Sequence, residues 1–349
     1  MKSLLKKGLL MALTIGTSTL INKTMAQAVD PITNQAVESH VKGFLKAVNA
    51  ATTIPVSEMP IDQARGTYTY ATTVGDKPDL SGTEVIEKTI QEDGLSVNLH
   101  IVRPAGVNKD IPAFMYFHGG IWFMGDYNTH KTLLHDLVIK TGMAAVFVDF
   151  TRTPEAHYPQ QNNEAYAATK WVAEHGKEVK IDGSKLAVAG NSIGGNMATV
   201  VALMAKDKGT PQLKLQVLIS PVTDATFETE SYNKYADGYF LTKALMIKGW
   251  DLYTKDPAQR KEIYASPLQA TAEQLKGLPP ALVITEENDV LRDEGEAYAR
   301  NLDAAGVYTT SIRYNGMTHD FVIINALHGL PATQAAIQQV ADALKQFVK

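Results

Sequence analysis

Ser192 stands in the run Gly190-Asn191-Ser192-Ile193-Gly194-Gly195, directly after the apolar stretch Leu186-Ala187-Val188-Ala189 and before a helical period that opens at Asn196. A serine at the tip of a strand–turn–helix, with glycines where the turn is too tight for side chains, presents its hydroxyl outward as a nucleophile. The competing reading is a serine that merely caps the next helix. A serine hydroxyl attacks poorly at neutral pH and needs a base. His319, in Gly316-Met317-Thr318-His319-Asp320-Phe321, lies in a loop after the expected last strand, Tyr308–Tyr314. An imidazole in that role needs a carboxylate that holds its tautomer and stabilises the imidazolium. Asp289 directly follows the strand Ala281–Ile284, with Glu286, Glu287 and Asp293 as competitors. Asp293 fits better in the first turn of the next helix, where a carboxylate meets the positive end of the dipole.

A tetrahedral intermediate also needs donors for its oxyanion. His118-Gly119-Gly120-Ile121-Trp122-Phe123-Met124-Gly125 follows the strand Ala113–Phe117. Consecutive glycines let main-chain N–H groups approach without side chains in the way. Gly119 and Gly120 are the expected donors, joined by Ile193 N–H, and each is worth ~3–4 kcal/mol in the transition state. His118, Gly190, Gly194 and Gly195 support the two turns.

These residues must be positioned by a frame, and the pattern from Glu84 onward supplies one. Glu84–Ile90 and Leu95–Val102 alternate around Glu92-Asp93-Gly94, which predicts a hairpin. Solid apolar runs follow at Ala113–Phe117, Ala144–Phe150, Leu186–Ala189, Leu215–Ile219 and Ala281–Ile284. Such runs suit parallel strands buried on both faces. Between them lie helical periods at Thr132–Thr141, Asn163–His175, Asn196–Lys206, Asp293–Ala305 and Ala332–Val348. Alternation of this kind means an α/β sheet with helices on both faces. An interval of about sixty residues between Ser220 and Ala281 is too long for an unstructured loop. It predicts an insertion over the strand ends, about residues 222–275, with Tyr239–Tyr253 as a helix pair. Residues 29–82 read as an N-terminal cap segment, helical over Ala36–Ala50 and irregular over Tyr68–Val74, and residues 83–349 as the catalytic domain.

Residues 1–28 read as a secretory leader: Lys2, Lys6 and Lys7, an apolar stretch from Gly8 to Ile21, then Ala26-Gln27-Ala28 as a cleavage site. Periplasmic or secreted localisation is expected. The chain has 349 residues, 45% hydrophobic and 20% charged, and no cysteine. The apolar fraction excludes a mainly disordered chain, and the missing cysteines exclude disulfides, thiolate metal sites and a cysteine nucleophile. A net charge of -4, falling to -8 without the four leader lysines, argues against nucleic-acid binding. No stretch is long and apolar enough to span a membrane. Oligomeric state carries no signal.

Together these motifs resemble the hormone-sensitive-lipase-like branch of the α/β-hydrolases, whose bacterial members are mostly carboxylesterases. The marks are His118-Gly119-Gly120, the doubled Gly194-Gly195, the Asp289–Gly295 run, His319-Asp320-Phe321, and Arg152, Pro154 and Glu155 after a strand. The order Ser192, Asp289, His319 is also the order of that fold. The resemblance implies an α/β-hydrolase fold, a mostly parallel eight-stranded sheet with a helical cap. It implies a serine carboxylesterase acting on small esters through an acyl-enzyme, without metal or organic cofactor. Three positions depart: the family often has glycine at Ile121, Asp at Asn191 and Ala at Ile193. Two isoleucines beside the oxyanion site should favour short acyl groups.

Lactones and acetylated sugars remain alternative substrates, and a non-catalytic ligand-binding protein on the same fold is the alternative of another class. A β-lactamase-type apparatus fails on order: Ser39–Lys42 and Ser231–Lys234 match S-x-x-K and Lys140-Thr141-Gly142 matches KTG, but no S-D-N lies between Ser39 and Lys140. The chain lacks HExxH, a phosphate loop and a dinucleotide fingerprint.

Overall fold

The alternating segments around Asp93-Gly94 form the hairpin that begins the sheet: β1 (Thr83–Glu92) and β2 (Leu95–Pro104) pair antiparallel, Glu92 opposite Leu95. Asp93 and Gly94 are both left-handed, φ 50° and 77°, the geometry that matches a two-residue turn to the twist of its strands. The computed structural model describes residues 29–75 and 78–348; the expected leader, residues 1–28, lies outside them.

Two helices precede the hairpin, α1 (Ser39–Ala51) and α2 (Ile61–Thr73). Beyond it the chain alternates: β3 (Ile111–Phe117), α3 (Tyr127–Thr141), β4 (Ala144–Asp149), α4 (Gln160–His175), β5 (Ile181–Asn191), α5 (Ile193–Lys208) and β6 (Leu213–Ile219). The long interval holds α6 (Glu230–Lys234), α7 (Lys243–Tyr253) and α8 (Ala272–Leu275). β7 (Ala281–Asn288), α9 (Arg292–Ala304), β8 (Thr309–Thr318) and α10 (Pro331–Phe347) complete it.

The eight strands form one sheet in the order β1-β2-β4-β3-β5-β6-β7-β8. Among the described residues only the β1–β2 and β2–β4 pairings are antiparallel. The apolar runs within β3 to β7 are buried because helices cover both faces; α3 packs on α10 and α4 on α5. The parallel strands all deliver their C-terminal ends to one edge of the sheet, where parallel α/β folds place their ligands.

Two readings of the outer helices are corrected. Tyr68–Val74 is not irregular: most of it belongs to α2, whose buried positions are Ala64, Tyr68, Ala71 and Thr72. Apart from Tyr68, the inward face is small or polar, which hides the helical period. Tyr239–Tyr253 is a single helix preceded by a loop. Gly238 and Phe240 are left-handed, φ 82° and 75°, and Thr242 then caps α7 by accepting from Leu245 N–H.

Candidate active site

The turn after β5 is forced by backbone contact. A methyl on Gly190 would fall 2.2 Å from the Gly194 carbonyl oxygen, and one on Gly194 would fall 1.9 Å from the Phe117 carbonyl oxygen. Ser192 is left at the tip with φ 57° and ψ -123°, a region that a side-chain-bearing residue occupies only when its surroundings compel it. Its N–H donates to the Ile219 carbonyl at 2.8 Å, and its own carbonyl accepts from Val222 N–H at 3.2 Å. Ser192 holds the N-cap place of α5 yet caps nothing. Its Oγ is buried without a hydrogen-bond partner, which excludes the capping reading.

Ser192 lines a cavity of about 50 Å³ together with His319, Asp320, Gly120 and Ile121. Its outer wall is apolar and comes from α1, α2, the approach to α7 and α7 itself, through Val48, Ala71, Phe240 and Leu245. His319 follows the last residue of β8. Its Nδ1 lies 2.8 Å from Asp289 Oδ2, while Asp289 Oδ1 accepts from Leu291 N–H at 3.0 Å. The competitors are otherwise engaged. Glu287 accepts from Gly316 N–H, Asp293 pairs with Arg292, and Glu286 takes the Ser220 hydroxyl. Ser192 Oγ makes no hydrogen bond to His319; the two face one cavity, and such contacts commonly tighten only with substrate bound.

Burial opposes a charge on His319, but the carboxylates of Asp289, Asp320 and Glu286 outweigh it and raise its pKa to about 10. Glu286, wholly buried and beside Asp289, is pushed well above the usual carboxylate range by desolvation first and by that neighbour second. The sequence offered Glu286 only as a competitor of Asp289, because nothing in its spacing distinguishes it from Glu287.

Gly119 is corrected as an oxyanion donor. Its N–H already donates to Asn191 Oδ1 at 3.0 Å. Gly120 does face the cavity, at φ 112°, where an added methyl would meet the Met124 carbonyl oxygen at 2.4 Å. Ile193 is the first residue of α5, so its N–H has no acceptor within the helix. His118 is a pillar of the loop: it stacks on Phe147 and Phe150, and its Nδ1 meets the Gly119 carbonyl at 2.7 Å. Burial, then the nearby His130, pushes its pKa well below the usual range. Gly195 packs against Pro221.

Asn191 explains its own departure from the expected Asp. Its Oδ1 accepts from Tyr116 Oη at 2.9 Å as well as from Gly119, and its Nδ2 donates to Asp320 Oδ1 at 2.7 Å. A carboxylate at 191 would have no donor to offer Asp320 and would add a like charge. Tyr68 from α2 donates to the other oxygen of Asp320 at 3.0 Å, and Asp320 Oδ1 lies 3.6 Å from His319 Nε2. Arg65, also on α2, donates through Nε to the Phe123 carbonyl at 2.8 Å and forks onto Glu155 at 2.8 and 2.7 Å. Neither tyrosine nor arginine carried a sequence signal, since their partners are distant in the chain.

A family profile described as the alpha/beta hydrolase fold matches residues 114–323, which contain every one of these motifs. The chain belongs to the α/β-hydrolase family. An ethyl acetate hydrolase of Pseudomonas putida is 30% identical over 86% of this α/β-hydrolase and 94% of its own length. Carboxylesterase NlhH of Mycobacterium tuberculosis is 34% identical over 76% of this chain and 84% of its own. The crystal structure of a thermostable esterase from Pseudomonas putida ECU1011 superposes with a TM-score of 0.89 at 55% identity, covering 90% of this chain and 99% of that one. Among the described residues no helix is long and apolar enough to cross a membrane.

Proposed function

We propose that this α/β-hydrolase is a serine carboxylesterase for short-acyl esters. The observation that carries the reading is Ser192: a buried, unpartnered hydroxyl on a left-handed tip, facing a cavity shared with an imidazole whose far nitrogen is held by Asp289. Family membership and the named esterase relatives make the chain a carboxylic ester hydrolase, and favour that over a ligand-binding protein on the same fold. Ser192 Oγ attacks the ester carbonyl as His319 Nε2 takes its proton. Asp289 keeps the Nδ1–H tautomer and stabilises the imidazolium. We assign the oxyanion to the N–H groups of Gly120, Ile121 and Ile193, with Ile121 replacing Gly119. His319 returns the proton to the leaving alcohol, then activates the water that hydrolyses the acyl-enzyme.

The small cavity and the two isoleucines support a short acyl group. p-Nitrophenyl acetate and butyrate should exceed the decanoate in kcat/KM by about tenfold or more. A fluorophosphonate should label Ser192 and abolish that turnover. Rates rising steadily with acyl length would overturn the chain-length reading; a folded protein that resists labelling would favour the binding module.

Residues 1–28 we propose to be an export leader. The protein recovered from the periplasm or medium should begin at Val29; a chain retained in the cytoplasm with Met1 would refute this.

A further inference from the structure

Ile121 and Trp122 are both left-handed, φ 55° and 59°, a conformation in which β-branched and bulky residues are outliers. Glycine at 121 would adopt it unaided; isoleucine adopts it only where its surroundings hold it. One face of α7 does so. A methyl on Gly249 would fall 1.9 Å from Ile121 Cγ2 and 3.3 Å from the Ile121 carbonyl oxygen, so the Ile121 side chain fills the notch that the missing Cβ leaves. One residue on, Trp250 meets Trp122 edge-on at 4.9 Å, and Tyr253 stacks flat on Trp122 at 4.1 Å. The loop is tied elsewhere by Met124 N–H on the Gly120 carbonyl at 2.7 Å and by Thr153 N–H on the Trp122 carbonyl at 2.9 Å. These bonds close the turn but do not compel a left-handed isoleucine.

We propose that α7 is a positioning element for the oxyanion loop: the seat of Ile121 in the Gly249 notch sets where the Gly120 and Ile121 N–H groups stand relative to Ser192. The helix thereby governs turnover as well as covering the cavity. This rests on the serine-hydrolase reading above. A displacement of the donors weakens the transition state more than the bound ester, because the carbonyl oxygen reaches its donors fully only as charge develops.

The test is Gly249→Ala, assayed for kcat and KM on p-nitrophenyl acetate, with a thermal melt to establish folding. Gly66→Ala is the control, a glycine of α2 with open space around an added methyl. Gly249→Ala should lower kcat about tenfold or more with KM changed by less than about threefold, while Gly66→Ala matches the wild type. Ile121→Ala should also lose kcat, and adding Gly249→Ala to it should cost much less than in the wild type, since Cγ2 is gone and only the Cβ and carbonyl oxygen of residue 121 remain, at 3.3 Å. Ile121→Val, which keeps Cγ2, should lose much less than Ile121→Ala. Wild-type kcat in folded Gly249→Ala overturns the proposal, as does an undiminished penalty in the Ile121→Ala background. Should Gly249→Ala fail to fold, equal kcat for Ile121→Ala and Ile121→Val overturns it. A wild type whose turnover does not depend on Ser192 overturns the serine-hydrolase reading itself. That result is distinct from a Ser192-dependent enzyme indifferent to Gly249.

Discussion

Ser192→Ala should fold as the wild type does and lose turnover by about 10⁶-fold. The two halves of this expectation have separate causes. The Ser192 hydroxyl is buried and makes no hydrogen bond, so its removal takes away no native hydrogen bond and relieves one unsatisfied polar group, worth about 1 kcal/mol. The left-handed backbone at 192 is imposed by the turn and persists with alanine, so no strain is relieved there. The loss of turnover follows because no other hydroxyl stands at the tip of β5 beside the cavity that holds His319. Turnover of p-nitrophenyl acetate by freshly purified protein, with a thermal melt alongside, decides it. A variant retaining a substantial fraction of wild-type kcat would remove Ser192 from the chemistry. A collapsed melting temperature would instead make it structural.

Asp289→Asn should keep the fold and lose kcat by roughly 10⁴-fold. The amide preserves the shape and still accepts from Leu291 N–H, but it can offer its own N–H to His319 Nδ1 and so hold the wrong tautomer. The pH profile separates this from a structural loss. Burial acts against the His319 charge, and the facing carboxylates, Asp289 foremost, raise its pKa to about 10. A base works deprotonated, so the acidic limb of wild-type kcat/KM should lie above the ordinary 6.5, with activity still rising through neutral pH. Removing the Asp289 charge should move that limb to lower pH. The linkage to stability has the opposite sense: charged His319 stabilises the fold fully below about pH 6.5, and the contribution fades as pH climbs through the raised value. An acidic limb unmoved in Asp289→Asn would mean that another carboxylate governs His319, with Asp320 and Glu286 the nearest.

The legible parts of this protein share a physical origin. β3 to β7 were readable because strands covered on both faces carry largely apolar runs where they are buried, and the β1–β2 hairpin because one face alternates with the other. Ser192 was readable because its context is contiguous: strand, glycine turn and helix all lie within some twenty residues. α2 was not readable, since a helix whose buried face offers Tyr68 and otherwise only Ala64, Ala71 and Thr72 shows no continuous apolar stripe. Gly119 misled for another reason. Its motif and its place after β3 are those of a donor, but the acceptor that occupies its N–H belongs to Asn191, 72 residues away.

Local sequence thus determined which residues carry reactive groups and which strand or turn presents each, because turn sterics and side-chain periodicity act over a few neighbouring residues. It also carried the family resemblance, since those short motifs persist as strings. The fold alone decided which carboxylate reaches His319, which main-chain N–H groups are left free, how Asn191 pairs with Asp320, and where α7 meets Ile121. Those outcomes depend on contacts a few ångströms long between segments tens or hundreds of residues apart, and hydrogen-bond competition of that kind is settled only when packing brings the competitors together.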